Sequence, residues 1–453
     1  MSIEIRNPWT GQVDYRYAMM SAPQIEARLS KAVQVFPAWA SLSLEVRAQH
    51  VRAVAAELRE QRESLARIMT AEMGKLHREA LGEIDKCAGA CDYYADHAAG
   101  YLADQPIATE ARRSYVQYAP IGCVLAVMPW NFPIWQVFRF LAPAMMAGNV
   151  AVLKHAVTVP RCADAIESIL RTAGVPDGVF ATLHIDNVQT AALIADPRIQ
   201  AVTLTGSERA GKSVAATAGA HLKKCVMELG GSDPFVVLRD ADLDAAIRIA
   251  VASRFGNAGQ TCIAAKRFIL VDAIAEAFVE RFVEAIGALQ IGDPNDETST
   301  LAPMARTDLR DEVDRQVQSS ISAGARCLLG GTVHASPTGY RATLLDQVGP
   351  GMAAYHEELF GPAAAIIRVR DEADAARVAN DTSFGLGASV WTNDRERGEA
   401  FARGVQAGAV FVNSLVRSDV RLPFGGTKQS GFGRELASHG IHEFTNIKTV
   451  YVD

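Results

Sequence analysis

Apolar residues recur at helical spacing in the first seventy positions of the chain. Between residues 22 and 73 they include Leu29 with Val33, and Val54 with Leu58, each pair four residues apart. A spacing of three or four places side chains on one face of a helix. The pattern therefore predicts a helical N-terminal segment.

Short runs of β-branched and aliphatic residues replace this pattern after residue 120. Four of these runs are predicted strands, at 122–128, 150–154, 178–183 and 199–205. The intervening and following stretches have helical spacing, at 161–173, 187–195 and 208–219. Such an alternation is typical of a parallel sheet that is covered by helices on both faces. We therefore expect an α/β fold with a doubly wound parallel sheet.

A second alternation of strand and helix follows Glu228. It comprises a predicted strand at 234–238, a helix at 243–255 with Asp240 or Asp242 as its N-cap, and a strand at 267–271. This series predicts a second α/β unit. The chain ends in a β-like run, 446–452, which is a candidate for pairing with the sheet edge of another subunit.

Length and charge narrow the class of protein. At 453 residues, with 49% hydrophobic and 21% charged positions, the chain can bury a large core and is too long for one typical domain. The formal net charge of -6 is small, and acidic and basic residues are interspersed, so neither a nucleic acid nor a membrane is an expected partner. A small-molecule enzyme fits this composition better.

The N-terminus and the cysteines bear on the compartment. No basic segment followed by an apolar run opens the chain, and the longest strongly apolar stretch, around 123–130, is too short to span a bilayer. Seven cysteines are scattered without zinc-like pairs, and Cys87 and Cys91, one helical turn apart, are followed by no third ligand. We expect reduced thiols, no metal site, and a cytoplasmic protein.

Three residues could carry covalent chemistry. Cys262, in GNAGQTCIAAK, lies in a loop whose glycines let backbone N–H groups approach a substrate. Glu228, in MELGGSDPF, could act as a general base, and Asn131, in MPWNFPIWQ, could donate to a developing oxyanion. Taken singly, each has a plain alternative: a buried loop cysteine, a solvated or capping carboxylate, and an amide that completes its own turn.

A possible anion site lies elsewhere in the first unit. Lys154 ends the predicted strand 150–154, and the turn TGSERAG at 205–211 joins a strand to a helix, whose N-terminus favours an anion. No complete GxGxxG fingerprint is present there. The turn could therefore equally be an ordinary loop between a strand and a helix.

A series of motifs in fixed order resembles the aldehyde dehydrogenase superfamily. The motifs are PWNFP, LK at 153–154, TGS, ELGG, GQTC, EELFGP at 357–362 and PFGGTKQSGFGRE. The resemblance runs nearly end to end. Within the superfamily, LKHA, KKCVMELGGSDPF and GRELASHGIHEF are most similar to the short bacterial succinate-semialdehyde dehydrogenases.

The resemblance implies roles for individual residues. Cys262 would be the nucleophile that forms a thioester, Glu228 the base that activates the deacylating water, and Asn131 the oxyanion donor beside the backbone N–H of Cys262. The implied cofactor is NAD or NADP. Its expected binding residues are Trp130, Lys154, Val157, Gly206, Ser207, Leu229, Glu358 and Phe360.

Two positions bear on cofactor and substrate choice. Val157 stands where NAD-preferring relatives often have glutamate and NADP-preferring ones a small hydroxyl residue, so the cofactor preference stays open. Arg139 stands where succinate-semialdehyde dehydrogenases use an arginine for the substrate carboxylate, which suits a short ω-carboxy aldehyde. A structural ion pair is the alternative for Arg139. The other expected substrate-binding residues are Trp135, Thr261 and Ser418.

The resemblance also implies a domain organisation and an assembly. It divides the chain into a cofactor-binding domain at 1–228, a catalytic domain at 229–410 that carries Cys262, and a return segment with a C-terminal oligomerisation strand at 411–453. Residues 100–120 would contribute to a small β oligomerisation element, and a homodimer or homotetramer is expected.

The implied reaction is oxidation of an aldehyde to a carboxylic acid, with succinate semialdehyde as the first candidate substrate. Another semialdehyde, or a broader aliphatic or aromatic range, is the alternative within the same class. A cofactor-independent cysteine hydrolase and a non-catalytic scaffold are the alternatives from other classes.

Overall fold

The N-terminal part of the molecule is a β-hairpin followed by four helices. The structure, a computed structural model, describes residues 2–453. The first elements are β1 (Ser2–Arg6), β2 (Val13–Ala18), α1 (Ala22–Ser41), α2 (Leu44–Glu60), α3 (Arg62–Met73) and α4 (His77–Tyr101). Leu29, Val54 and Leu58 are buried on the inner faces of α1 and α2. The predicted helical segment is thus confirmed, and α4 extends it.

A parallel sheet with helices between its strands follows. Its region contains β3 (Gln105–Pro106), β4 (Arg113–Pro120), β5 (Cys123–Met128), α5 (Trp135–Met146), β6 (Val150–His155), α6 (Pro160–Thr172), β7 (Phe180–Thr182), α7 (Asn187–Ala195), β8 (Ile199–Thr205), α8 (Glu208–Ala220) and β9 (Lys224–Glu228). Strands β9, β8, β5, β6 and β7 pair in that order, all parallel. The four strands and three helices predicted here are confirmed.

The second unit is also built on a largely parallel sheet. Its elements are β10 (Asp233–Val237), α9 (Leu243–Phe255), β11 (Ala265–Val271), α10 (Asp272–Gly287), α11 (Thr307–Ser322), β12 (Arg326–Leu329), β13 (Thr343–Asp346), α12 (Ala353–His356), β14 (Ala363–Val369), α13 (Glu372–Asn380), β15 (Gly387–Trp391), α14 (Arg395–Gly404) and β16 (Ala409–Val412). The strand order is β12-β13-β14-β11-β10-β15-β16, with only β12 antiparallel. Asp242 caps α9, because its side chain accepts from the N–H of Ala245 at 3.1 Å.

The end of the chain returns to the first unit. It forms β17 (Gly431–Phe432), α15 (Ala437–Glu443) and β18 (Thr445–Val452). Strand β17 lies antiparallel beside β9 at the edge of the first sheet. Strand β18 pairs along its whole length with β4 of the same chain, and β3 completes this three-stranded sheet. The C-terminal run is therefore a strand, as predicted. In the order β18-β4-β3 it forms one edge of its sheet, and its pairing with another subunit stays a prediction.

The architecture confirms an α/β fold with a doubly wound sheet, a second α/β unit and a small β element. Several candidate residues follow the carboxyl ends of the first sheet's strands: Asn131 after β5, Gly206 after β8 and Leu229 after β9. Parallel sheets bind ligands at this edge. Within residues 2–453, no helix combines the length and apolar character needed to cross a membrane.

Candidate active site

The loop before Cys262 is held in an unusual backbone conformation. A short 3-10 turn, Gly256–Gly259, joins α9 to this loop, and Asn257 and Ala258 both have φ of 52°. Left-handed backbone is costly for residues other than glycine, so surrounding contacts must hold it. The N–H of Asn257 donates to Glu79 Oε1 at 3.0 Å, and its side-chain amide donates to the carbonyl of Asn131 at 2.9 Å. The loop is thereby tied both to α4 and to the Asn131 turn.

Hydrogen bonds on both sides orient the side chain of Asn131. Its Nδ2 donates to the carbonyl of Gln260 at 2.9 Å, and its Oδ1 accepts from Nε2 of Gln136 at 3.1 Å. The first of these bonds directs the amide nitrogen toward the loop that carries Cys262. An amide nitrogen has two N–H donors, so one donor remains for a developing negative charge.

Burial dominates the electrostatics of the Cys262 thiol. Loss of solvent raises the pKa of Cys262 to about 11, although the positive charges of Arg139 and Lys266 oppose this effect. Lys266 is itself buried, donates to the carbonyl of Thr261 at 3.0 Å, and forms an ion pair with Glu358 at 3.3 Å. Without further positive charge, the thiol is therefore protonated at neutral pH.

Glu228 ends β9 with its carboxylate buried and pointing toward a glycine. A Cβ atom added at Gly425 would lie 2.6 Å from Glu228 Oε1. Neither carboxylate oxygen has a hydrogen-bond partner among the described residues. Burial, and then the charge of Glu435, hold the pKa of Glu228 well above its usual range, while Arg139 opposes them. The protonated form is favoured in this position.

Arg139 is enclosed by protein groups. It is 2% exposed, forms an ion pair with the carboxylate of Glu435, and donates to Thr205 Oγ1 at 3.1 Å. Its guanidinium carbon also lies 4.6 Å from the ring centroid of Phe424. A buried arginine that already has a carboxylate partner offers little to a second carboxylate. The structure therefore favours the structural ion pair over the substrate role expected for Arg139.

Two neighbouring cavities bring most of the expected cofactor residues together. The first, about 220 Å³, is lined by Cys262 and Asn131. The expected cofactor residues that also line it are Trp130, Gly206, Ser207, Leu229, Glu358 and Phe360. The second, about 400 Å³, shares Ser207 and is lined by Lys154 and the first turns of α8. Val157 lines neither cavity; its carbonyl accepts from the Tyr17 hydroxyl at 2.9 Å.

These cavities suit an anionic nucleotide. The ammonium of Lys154 has no hydrogen-bond or ion-pair partner within residues 2–453, and burial lowers its pKa. Ser207 caps α8, whose N-terminus favours negative charge. At the end nearer Cys262, Trp130 and Phe360 pack edge to face with ring centroids 5.9 Å apart. Charge recognition at one end and an aromatic wall at the other match a dinucleotide with phosphates and a nicotinamide ring.

A third cavity, about 350 Å³, lies on the other side of the Cys262 loop. The three remaining residues expected at the substrate site, Trp135, Thr261 and Ser418, all line it. Thr261 and Ile263, the chain neighbours of Cys262, line this cavity, whereas Cys262 lines the first. Cys262 thus stands in the wall between two cavities.

Three charged or polar residues of the site were not predicted from the sequence. Lys266 closes the GNAGQTCIAAK segment, Gln136 follows the Asn131 turn, and Glu435 ends the last motif. Lys266 lies on β11, and a lone lysine at the start of a strand gives no local sign that it is buried beside Cys262 and Glu358. The Glu435 carboxylate could have been suspected as a partner for Arg139, but only their tertiary contact pairs them.

Comparison with known proteins identifies the family. The aldehyde dehydrogenase family model matches residues 1–450. The chain belongs to the aldehyde dehydrogenase family. It is therefore an NAD(P)-dependent enzyme that oxidises aldehydes, which confirms the family resemblance of the sequence motifs.

Named relatives match 99–100% of the length of this aldehyde dehydrogenase. A probable succinate-semialdehyde dehydrogenase [NADP(+)] of Synechocystis is 49% identical over 100% of both chains. The succinate semialdehyde dehydrogenase [NAD(P)+] Sad of Escherichia coli is 47% identical over 99% of this chain and 97% of its own. The crystal structure of succinic semialdehyde dehydrogenase from Streptococcus pyogenes in complex with NADP+ superimposes with a TM-score of 0.97, at 38% identity and 99% coverage of each chain.

Proposed function

We propose that this enzyme oxidises succinate semialdehyde to succinate through a thioester on Cys262. The proposal rests on the position of Cys262 between two cavities. One cavity is lined by the expected cofactor residues, and the other has a size suited to a short aldehyde. The names of the Synechocystis, Escherichia coli and Streptococcus pyogenes relatives support the substrate.

In the first half-reaction, the Cys262 thiol loses its proton to water in the cavity, the thiolate adds to the aldehyde carbon, and the carbonyl oxygen becomes an oxyanion. The free N–H of the Asn131 side chain and the backbone N–H of Cys262 stabilise this charge. The Gln260 and Gln136 contacts hold the Asn131 amide in place before the substrate arrives, so little reorganisation is needed. When bound, the cofactor supplies the hydride acceptor that converts the thiohemiacetal to a thioester.

In the second half-reaction, Glu228 accepts a proton from the water that hydrolyses the thioester. Its carboxylate must first turn from Gly425 toward Cys262. No hydrogen bond within residues 2–453 holds the carboxylate where it is, so this rotation breaks none. Exposure to water on the cavity side would lower the pKa of Glu228 and give the ionised form that a base requires.

The enzyme accepts both NADP+ and NAD+ in this proposal. Lys154, which has no partner within residues 2–453, is positioned to attract phosphate, and Val157 adds no negative charge that would repel a 2′-phosphate. Trp130 and Phe360 act at the nicotinamide end. Glu358 accepts from the N–H of Gly231 at 3.0 Å and is available to a ribose hydroxyl after a side-chain rotation.

We further propose a homodimer or homotetramer in the cytoplasm. Ile447 and Tyr451 on β18 are 62% and 50% exposed, and such apolar side chains on a strand favour an interface. All seven cysteines are free thiols, which suits a reducing compartment.

Initial rates with two isosteric aldehydes test the substrate. Succinate semialdehyde and 4-methylpentanal have the same arrangement of non-hydrogen atoms along the chain, but an isopropyl group replaces the carboxylate in the second. We expect kcat/KM at least tenfold higher for the acid with either cofactor, and equal values would refute the proposed substrate. Cys262→Ala should abolish turnover. Cys327 is a half-buried thiol on β12, so Cys327→Ala serves as the matched control and should retain turnover.

A further inference from the structure

A lysine of α4 projects into the cavity on the substrate side of Cys262. Lys86 lines this cavity together with Trp135, Thr261 and Ser418. Its ammonium donates to Ser418 Oγ at 2.6 Å and lies 4.2 Å from the ring centroid of Trp135. A hydroxyl and an aromatic face thus solvate the charge, but neither neutralises it.

The other buried lysine of the same cavity wall is paired. Lys75 forms an ion pair with Glu83, and that carboxylate also accepts from the N–H groups of Ile134 and Trp135 at 2.9 Å. Within residues 2–453, no carboxylate oxygen lies within 4.0 Å of the Lys86 ammonium. Burial of an ammonium without a counter-ion costs free energy, because the charge loses its water. An anionic ligand bound beside the ammonium would offset this cost.

We propose that Lys86 and Ser418 bind the distal carboxylate of the aldehyde substrate. This inference rests on the proposed function and assigns the carboxylate to Lys86 instead of Arg139. Ser418 Oγ accepts from Lys86, so its own O–H is free to donate to a carboxylate oxygen while the ammonium donates to the other. The cavity runs from Lys86 to Thr261, the residue before Cys262, which suits a short substrate with an aldehyde at one end and an acid at the other.

The titration of Lys86 gives an independent readout. Burial, and then the charge of Arg139, lower the pKa of Lys86 to about 8. The acidic groups that face it and partly oppose this shift are Cys87, Glu83 and Asp419. Arg417 and Glu79 also line the cavity, and burial raises the pKa of Glu79, which favours its uncharged form. Lys75 and Arg421 pair the carboxylates of Glu83 and Asp419, so neither of these is free to neutralise Lys86. The cation is therefore lost as the pH rises through about 8, and the ratio of kcat/KM for succinate semialdehyde to that for 4-methylpentanal should fall above that pH, because the ionisation of Cys262 affects both aldehydes alike.

The decisive variant is Lys86→Met, in which a side chain of similar length keeps the contact with Trp135 and loses the charge. The measured quantity is the ratio of kcat/KM for succinate semialdehyde to that for 4-methylpentanal. We expect the ratio to fall about 10- to 100-fold, mainly through KM of the acid. Lys86→Arg should retain most of the ratio because the positive charge remains. Arg78→Met, which removes an exposed cation from the same helix outside the cavity, should leave the ratio unchanged.

The outcomes separate this inference from the proposed function. If the wild type does not prefer succinate semialdehyde over 4-methylpentanal, both the proposed substrate and the role of Lys86 are refuted. If the wild type prefers the acid but Lys86→Met keeps that preference and its alkaline fall above pH 8, the role of Lys86 alone is overturned. Should Lys86→Met not fold, Ser418→Ala decides: we expect at least a threefold lower ratio from the lost hydrogen bond, and an unchanged ratio would refute the pair.

Discussion

The raised pKa of Cys262 makes the reactivity of the free enzyme strongly dependent on pH. Only the thiolate is alkylated by iodoacetamide, and loss of solvent around Cys262 raises the pKa of this thiol to about 11. The pH is raised from 7 to 10 in enzyme without cofactor. The reaction at Cys262 should become faster throughout this range.

The size of the effect follows from the thiolate fraction. With a pKa of about 11, roughly one thiol in a thousand is ionised at pH 8, whereas an unperturbed cysteine with a pKa of about 8.5 is about one quarter ionised. Cys262 should therefore react on the order of 200-fold more slowly at pH 8 than a free thiol of equal nucleophilicity. Between pH 7 and 10, the rate should rise about tenfold for each pH unit.

Peptide mass spectrometry after timed quenching measures alkylation at each cysteine separately. This separation matters because Cys225 and Cys327 are also partly accessible and would contribute to a bulk thiol assay. Cys262→Ser identifies the peptide and provides the blank. A rate that levels off below pH 9 would show that the positive charges of Arg139 and Lys266 outweigh burial, which contradicts a pKa of about 11 for Cys262.

Three further predictions concern the base, its buried neighbour and the cofactor. Glu228→Gln should keep a burst of one reduced cofactor per site in stopped-flow absorbance but slow steady turnover about 10²- to 10⁴-fold; loss of the burst would place Glu228 in an earlier step. Glu435→Gln removes a negative charge that raises the pKa of Glu228. It also leaves the positive charge of Arg139 unpaired, and this charge lowers the same pKa. The acidic limb of the kcat profile should therefore move to lower pH. An unmoved limb would contradict this coupling. Val157→Glu should lower kcat/KM for NADP+ about tenfold or more relative to NAD+ through like-charge repulsion, and equal losses with both cofactors would argue against it.

Strands and helices with a single strong pattern were predictable from the sequence. The runs 199–205 and 243–255 coincide with β8 and α9, because both are bounded by turn or cap residues and bury most of an apolar stretch or face. The hairpin β1–β2 was not predicted. Strand β2, VDYRYA, has no buried residue, so apolar alternation does not mark it.

The order of motifs identified the family, but it did not show which charged side chains are paired in the folded protein. Motifs around Cys262, Asn131 and Glu358 lie where the chain turns between elements, and their local sequence is enough to recognise them. The pairing of Arg139 with Glu435 depends on the return of the chain through β17 to the first sheet. No local pattern reports such a contact, so the sequence left both alternatives for Arg139 open.

The distribution of paired and unpaired cations explains how one cysteine can serve two ligands. Around the active site, Arg139 and Lys266 have carboxylate partners, so they add positive potential at Cys262 but do not attract a further anion. Lys154 and Lys86 lack such partners within residues 2–453, and they lie in different cavities on opposite sides of the Cys262 loop. Because an unpaired, partly buried ammonium favours an anion, each cavity is predisposed to a ligand that carries negative charge far from its reactive end. On this argument, the phosphates of the cofactor and the carboxylate of the aldehyde are drawn to opposite ends, and the two uncharged reactive groups meet at Cys262.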